Sequence, residues 1–322
     1  MNFIVSESEV NSRLDKFLAE KLKTQSRSQI KKMIEAGFVL VNDRPTTVHR
    51  FLKVADKISL IEKKEEPKKI TNTKKALAPK IEPSVIFENS DFMVLDKPAG
   101  LLVHPTERNE TDTLVDWLLK KIPGIEKVGE QKYRAGIIHR LDKDVSGIMI
   151  VAKNNQAFEH LKDQFKKRKV QKQYIALVYG PVEQSEGEID LPIGRNKEGQ
   201  FVAHPKKGTD KLQDQDKLAK TQYKVLEYLK DYTLLEVKIL TGRTHQIRAH
   251  LFAINHPILG DSIYKPKNKF LHFLRKKIKV VDPGRIFLHS QKIGFSDLLG
   301  QWLEFNSPLP KILQSYLDEL KK

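Results

Sequence analysis

Cysteine is absent from the 322 residues, which removes disulfides, thiolate metal sites and cysteine nucleophiles together. Long apolar runs are missing too, since no stretch approaches the roughly eighteen residues of a membrane helix. The first residues, MNFIVSESEVNSR, carry Glu7 and Glu9 and no extended apolar region, unlike a secretory signal or an acid-poor transit peptide. A cytoplasmic protein is therefore expected. Acidic residues are the third shortage: 41 Asp+Glu face 58 Lys+Arg, for a net charge of +17. Such an excess favours polyanionic partners, because each phosphate neutralised by Lys or Arg releases condensed counterions. Hydrophobic residues at 39% exclude wholesale disorder, and the length leaves room for one large domain and one small one.

Three regions differ in character. Residues 1–62 read as a small α/β module. Leu14, Phe17, Leu18 and Leu22 recur at helical spacing. Ser26-Arg27-Ser28 then offers a cap for a second helix facing inward with Ile30, Met33 and Ile34. Gly37 ends that helix, and strand-like runs follow at Phe38–Val41 and Lys57–Ile61, the first closing in a turn at Asn42-Asp43. Residues 63–83 have no periodicity and hold seven lysines and three prolines, the composition of a solvated, flexible basic linker. From Ser84 to the end (84–322) strand and helix signals alternate. Helices are expected over about 112–122 (burying Leu114, Trp117 and Leu118), 155–168, 244–255 and 309–320. Strands are expected at VIFEN, FMVLD, Gly147–Ala152 and QYIALVYG, with a hairpin over 223–240. The polar stretch 204–220 reads as a mobile loop. Periodicity alone establishes only mixed α and β.

The most informative segment is RAGIIHRLDKDVSGIMIVAKN, residues 134–154. Ile137-Ile138 deliver His139, Arg140 and Asp142 to a turn, and Asp144, Ser146 and Gly147 reverse the chain into an apolar strand. A carboxylate at the end of a rigid strand beside arginine is firmly held, which suits a nucleophile or an electrostatic stabiliser. An Asp in such a turn more often caps backbone N–H groups, so the local pattern leaves both readings open.

HRLDKDVSG resembles the HRLD-x-x-[ST]-SG signature of the large pseudouridine synthase family that modifies ribosomal and some transfer RNAs. Three further segments resemble that family in the right order: IFENSDFMVLDKPAGLLVHP, KKRKVQKQYIALVYG and TGRTHQIRAHLFAINHPILGD. Together the matches span about residues 85–265. The resemblance implies an α+β fold with a mixed, largely antiparallel central sheet, flanking helices and a catalytic cleft. It implies that Asp142 is catalytic, with Tyr174 against the base and Arg248 paired to the aspartate. Isomerising uridine breaks the C1′–N1 bond, rotates the base and rejoins it through C5. The uridine must first flip from its stack. No group is released and no electrons move, so the implied reaction needs neither metal nor cofactor. Lys97, Arg140, Arg243 and His245 fall to RNA binding. Residues RLDKFLAEKL…SRSQIKKMIEAGFVLVNDR are similar to the small RNA-binding domain first recognised in ribosomal small-subunit protein four, with Arg13, Arg27, Lys31 and Lys32 on its basic face. The combination LLVHPT, RAGIIHRLDKD and TGRTHQIRAH is most similar to the synthase D branch, which implies 23S ribosomal RNA as partner. Nothing requires more than a monomer.

Blander readings stand beside these. Tyr174 alternates with Ala176 and Val178, as a core residue would. His245, His250 and His256 are spaced by five and six, which does not align them on one helical face for a metal. Val145 stands where the signature has threonine, losing only a hydroxyl beside the turn. Rival functions are a synthase for transfer RNA, a non-catalytic ribosome-assembly factor, and a hydrolase using Asp142 and Asp144. The last is opposed by spacing, because carboxyls two apart on a turn rarely face each other across a substrate.

Overall fold

The computed structural model describes residues 2–22, 27–35, 37–48, 50–61, 81–106, 110–196, 198–204, 216–265 and 283–322. The expected linker at 63–83 lies outside these save for 81–83, and 205–215 of the expected loop lie outside as well. The chain divides into two compact units, Met1–Leu77 and Ala78–Lys322, and each is described by itself.

In the first unit, helices α1 (Leu14–Lys21) and α2 (Arg27–Glu35) cover a small antiparallel sheet. Its strands are β1 (Asn2–Ile4), β2 (Val39–Val41), β3 (Arg44–Pro45) and β4 (Lys57–Leu60), in the order β1-β4-β2-β3. The helical spacing buries Leu14, Phe17 and Leu18 from α1 and Ile30 and Ile34 from α2 against Val39, Val41 and Ile58. Gly37 takes φ +77° just past α2, where only glycine is free of penalty.

The second unit is built on a nine-stranded sheet among the described residues. Strands β5 (Ser84–Glu88), β6 (Phe92–Lys97) and β7 (Ser146–Ala152) form one side. Strands β8 (Gln171–Tyr179), β9 (Glu186–Asp190), β12 (Lys220–Leu229) and β13 (Tyr232–Ile239) form the other. Between them runs β14 (Leu288–Ser296), which also pairs with β15 (Trp302–Asn306). The order is β5-β6-β7-β14-β8-β13-β12-β9, antiparallel except for the β7–β14 pair. A two-stranded hairpin, β10 (Ile193–Arg195) with β11 (Phe201–Ala203), stands apart from it. The fold is thus α+β with a largely antiparallel sheet. Helices α3 (Leu114–Lys121), α4 (Asn155–Lys166), α5 (Gln246–Ala253) and α6 (Lys311–Leu320) pack around it. Every residue of β7 is buried, as its continuous apolar run requires.

Several local expectations are corrected. Trp117 is only half-buried beside Leu114 and Leu118. Thr244 and His245 precede α5 rather than lying on it, because His245 adopts φ 57°, a left-handed conformation outside any helix. The loop over 204–220 is shorter than expected, since Lys217 pairs with Ile193 and Lys220 already opens β12. Strands β9, β10, β11, β14 and β15 are not announced by the sequence: β10 and β11 are three residues each, β9 and β15 five, and the run from His289 to Lys292 breaks the apolar pattern of β14.

Candidate active site

Four segments converge on one cleft of about 570 Å³, a size suited to a single nucleotide. The loop before β7 supplies Arg140 and Asp142, β8 supplies Tyr174, the turn after β13 supplies Arg243 and His245, and α5 supplies Arg248. Asp142 does not end a strand, as the sequence pattern suggests. Ile137 makes only a single bridge to Val151, and residues 138–144 form an irregular loop.

That loop is fixed from beneath. The backbone of β14 lies directly under Gly147, where a Cβ would collide with the carbonyl of Ser290, so φ +120° and glycine are both required. Val145 N–H closes the turn onto the Asp142 carbonyl at 3.2 Å. His139 packs inward, stacked on Phe165 at 4.8 Å and accepting the Ile150 N–H at 3.0 Å. Burial drives its pKa to about 3, so the ring is a neutral packing element.

Lys97 is a correction. Expected at an RNA phosphate, it is 0% exposed and out of reach of one. Its Nζ donates to the carbonyls of Pro98 and Leu101 at 2.9 Å and of Lys143 at 3.0 Å. Burial pushes its pKa down to about 7, while three carbonyls match the three N–H bonds of an ammonium and oppose that loss. The side chain therefore ties the β6 end to the loop carrying Asp142. Lys97→Met should leave three carbonyls without that donor, costing on the order of 3 kcal/mol. Calorimetry should show a midpoint lowered by several degrees. An unchanged midpoint with weakened RNA binding would restore the phosphate reading.

The charged centre is a chain of three groups. Arg248 Nη1 donates to Asp142 Oδ2 at 3.0 Å, while its Nε and Nη2 hold Asp261 in a fork at 2.7 and 2.8 Å. Arg248 is 5% exposed. Burial works against its charge, but the two carboxylates overrule it and raise its pKa. Burial alone would push Asp261 up; the Arg248 bonds and the N–H groups of Tyr264 and Ile263 hold it below the usual carboxylate range instead. Asp261 thus takes two of the five guanidinium N–H bonds, along the Nε–Nη2 edge, and leaves Nη1 to face Asp142. Asp142 keeps 21% of its side chain exposed and faces the cleft.

Tyr174 is 6% exposed and lines the same cleft. Burial pushes its phenol up to about 12, partly offset by a hydrogen bond with Ser290. The group is a neutral donor across the ordinary pH range. Arg140 lies 3.2 Å from His104 Nε2, whose Nδ1 faces the Pro105 carbonyl at 2.9 Å. Nδ1 therefore donates and Nε2 accepts from arginine. Arg243 Nε donates to the Leu218 carbonyl at 3.2 Å. His245 meets Tyr264 Oη at 3.2 Å and has Nε2 3.8 Å from Asp142 Oδ2. His250 and His256 turn instead to the carbonyls of Leu191 and Tyr179. In the first unit Arg13 pairs with Asp15 at 3.0 Å and Lys31 is exposed on α2; the side chains of Arg27 and Lys32 lie outside the described residues.

The family model described as RNA pseudouridylate synthase matches residues 91–253, and one described as S4 domain matches residues 12–58. This chain belongs to the RNA pseudouridine synthase family. Among similar proteins, a ribosomal large subunit pseudouridine synthase D of Haemophilus influenzae is 34% identical, the match covering 98% of this chain and 94% of that protein. One of the same name from Borreliella burgdorferi is 35% identical over 96% of this chain and 90% of that protein. Human RNA pseudouridylate synthase domain containing 1 superposes with a TM-score of 0.55 at 25% identity, covering 76% of this chain and 96% of that one.

The synthase is accordingly an RNA-modifying isomerase carrying an S4 domain. Among its described residues no helix is long and apolar enough to cross a membrane. Sequence reasoning misses Asp261, although it closes the quoted HPILGD segment. Its signal is a second acid thirteen residues after Arg248, beyond the range of any helical spacing.

Proposed function

We propose that this synthase isomerises uridine in 23S ribosomal RNA, with Asp142 as the group acting on the ribose or the base of an everted nucleotide. The observation that carries the reading is the Asp142–Arg248–Asp261 chain opening into a nucleotide-sized cleft beside Tyr174. Breaking the C1′–N1 bond develops positive charge at C1′ and negative charge on the base. A carboxylate with fixed position stabilises the first, and Arg140, Arg243 and Tyr174, which line the same cleft, supply donors for the second. Attack at C1′ and assisted elimination are both compatible with one carboxylate. After rotation, C5 bonds to C1′, C5 loses its proton and N1 gains one, so atoms and electrons balance.

The choice of 23S RNA rests on the names of the synthase D relatives, and the bacterial cytoplasm and a monomeric working form go with it. The test is a pseudouridine map of cellular RNA with and without the gene. One or more 23S positions should lose their modification and regain it on complementation. Loss confined to transfer RNA would overturn the target, and no loss anywhere would overturn the function.

The S4 match over residues 12–58 supports RNA contact by the leading module, residues 1–62, through charge rather than base reading. Deleting them should raise Kd for 23S RNA and broaden the choice of uridines before it removes turnover. Unchanged affinity and selectivity in filter binding and mapping would contradict that role.

A further inference from the structure

A second groove opens off the cleft. Its walls are Arg168, Lys169, Lys172, Lys238 and Lys292, with Glu304 as an acid among them. It shares Arg168, Val170, Lys172, Ile239 and Leu240 with the cleft itself, so the two are continuous. Lys292 and Lys238 are answered by Glu304 at 2.6 Å and Glu236 at 3.3 Å. Arg168 and Lys172 have no carboxylate partner among the described residues, and they are the two cations at the junction.

Lys172 stands two residues before Tyr174 on β8 and so shares its face. Its Nζ lies 5.3 Å over the Phe165 ring and lines both cavities. Burial pulls its pKa down to about 8, the condition of an amine taken from water without an anion to compensate. Arg168 sits just beyond α4 at φ 58°, a left-handed position that glycine or asparagine would occupy with less strain. Arginine there supplies a side chain that the turn itself does not need.

We infer that this groove takes the sugar–phosphate backbone adjoining the everted uridine, with Lys172 and Arg168 each meeting a phosphate at the cleft mouth. The inference rests on the cleft being the uridine site. The occupant follows from charge and continuity, since a strand whose base enters the cleft must leave along a wall, and this wall is cationic. Anchored phosphates on one side of the target hold the flipped nucleotide in register without reading its neighbours.

The test uses the full chain and a 23S RNA transcript, with affinity measured over a salt series and pseudouridine measured in parallel. K172M combined with R168Q should lower affinity at least tenfold at low salt. It should also make the slope of log affinity against log salt shallower by about 1.4, roughly 0.7 for each single-strand phosphate no longer neutralised. Lys172→Arg should keep the parent slope, as should Lys120→Gln, an exposed position on α3. A parent that forms pseudouridine while the double variant keeps the parent slope overturns the groove alone. A parent that forms none overturns the function and the groove with it. Should the double variant unfold, methylphosphonate replacement of single phosphates around the modified uridine in a short RNA serves instead. The unaltered protein should lose affinity at one or two positions, and no loss at any position overturns the proposal.

Discussion

Asp142→Asn is expected to reduce pseudouridine formation by roughly 10⁴-fold or more, the scale seen when a group acting directly on the reacting bond is removed. RNA affinity should change little. The replacement is isosteric, and it leaves in place the cations proposed to carry binding. Arg248 can still donate to the amide oxygen of the new side chain, so the loop retains its shape. What disappears is the negative charge proposed to act at C1′ or the base. The check is a pair of measurements on the same RNA, turnover by chemical mapping and affinity by filter binding. Full activity in the variant would refute the assignment. Equal losses in both would reduce Asp142 to a structural residue.

The second large effect is expected at Arg248. Arg248→Ala removes the partner of two carboxylates at once, Asp142 at 3.0 Å and Asp261 at 2.7 Å. Asp261 is left buried without its counter-charge, and breaking such a pair costs roughly 3–5 kcal/mol. Turnover should fall about 10²–10³-fold, the range for losing one preorganised charge partner, alongside a large drop in thermal midpoint. Arg248→Lys should rescue little, because a single ammonium cannot fork to Asp261 and reach Asp142 together. Acid should expose the same pair in the parent protein. The folded-state pKa of Asp261 lies below its unfolded value, so the unfolded chain binds more protons in acid. The pair's contribution is therefore present above roughly pH 4 and fades as pH falls through the lowered folded value. Asp261→Asn should flatten that acid limb in a melting series. Near-native kinetics in Arg248→Ala, or an unaltered acid limb in Asp261→Asn, would contradict the account.

Legibility tracks locality. Helices α1 and α2 are readable because a 3.6-residue apolar period needs no partner to show itself. The buried strand β7 is readable because an apolar run of this length fits a strand covered on both faces. The HRLD segment draws attention to Asp142 but leaves capping and catalysis both open, and the resemblance supplies the expected roles of Asp142 and Arg248. The loop geometry is not readable, since what holds Asp142 is remote in sequence: the Ser290 backbone under Gly147, and Lys97 bonded to the Lys143 carbonyl. Lys97 misleads because lysine is ordinarily exposed, and a run such as FMVLDK gives no sign that its last residue ends in a cage of carbonyls. Asp261 escapes for the complementary reason. Its importance lies in an ion pair across thirteen residues, and no periodicity encodes that distance. His245 is misplaced on a helix by its sequence because the left-handed turn before α5 occurs at a histidine, without the glycine that would have announced it.

The most direct measurement is a structure of Asp142→Asn bound to 23S RNA. One uridine is expected turned out of its stack, its ribose C1′ in contact with the side chain at position 142 and its ring against Tyr174. A target uridine left stacked in the RNA, or seated away from the cleft, would contradict it.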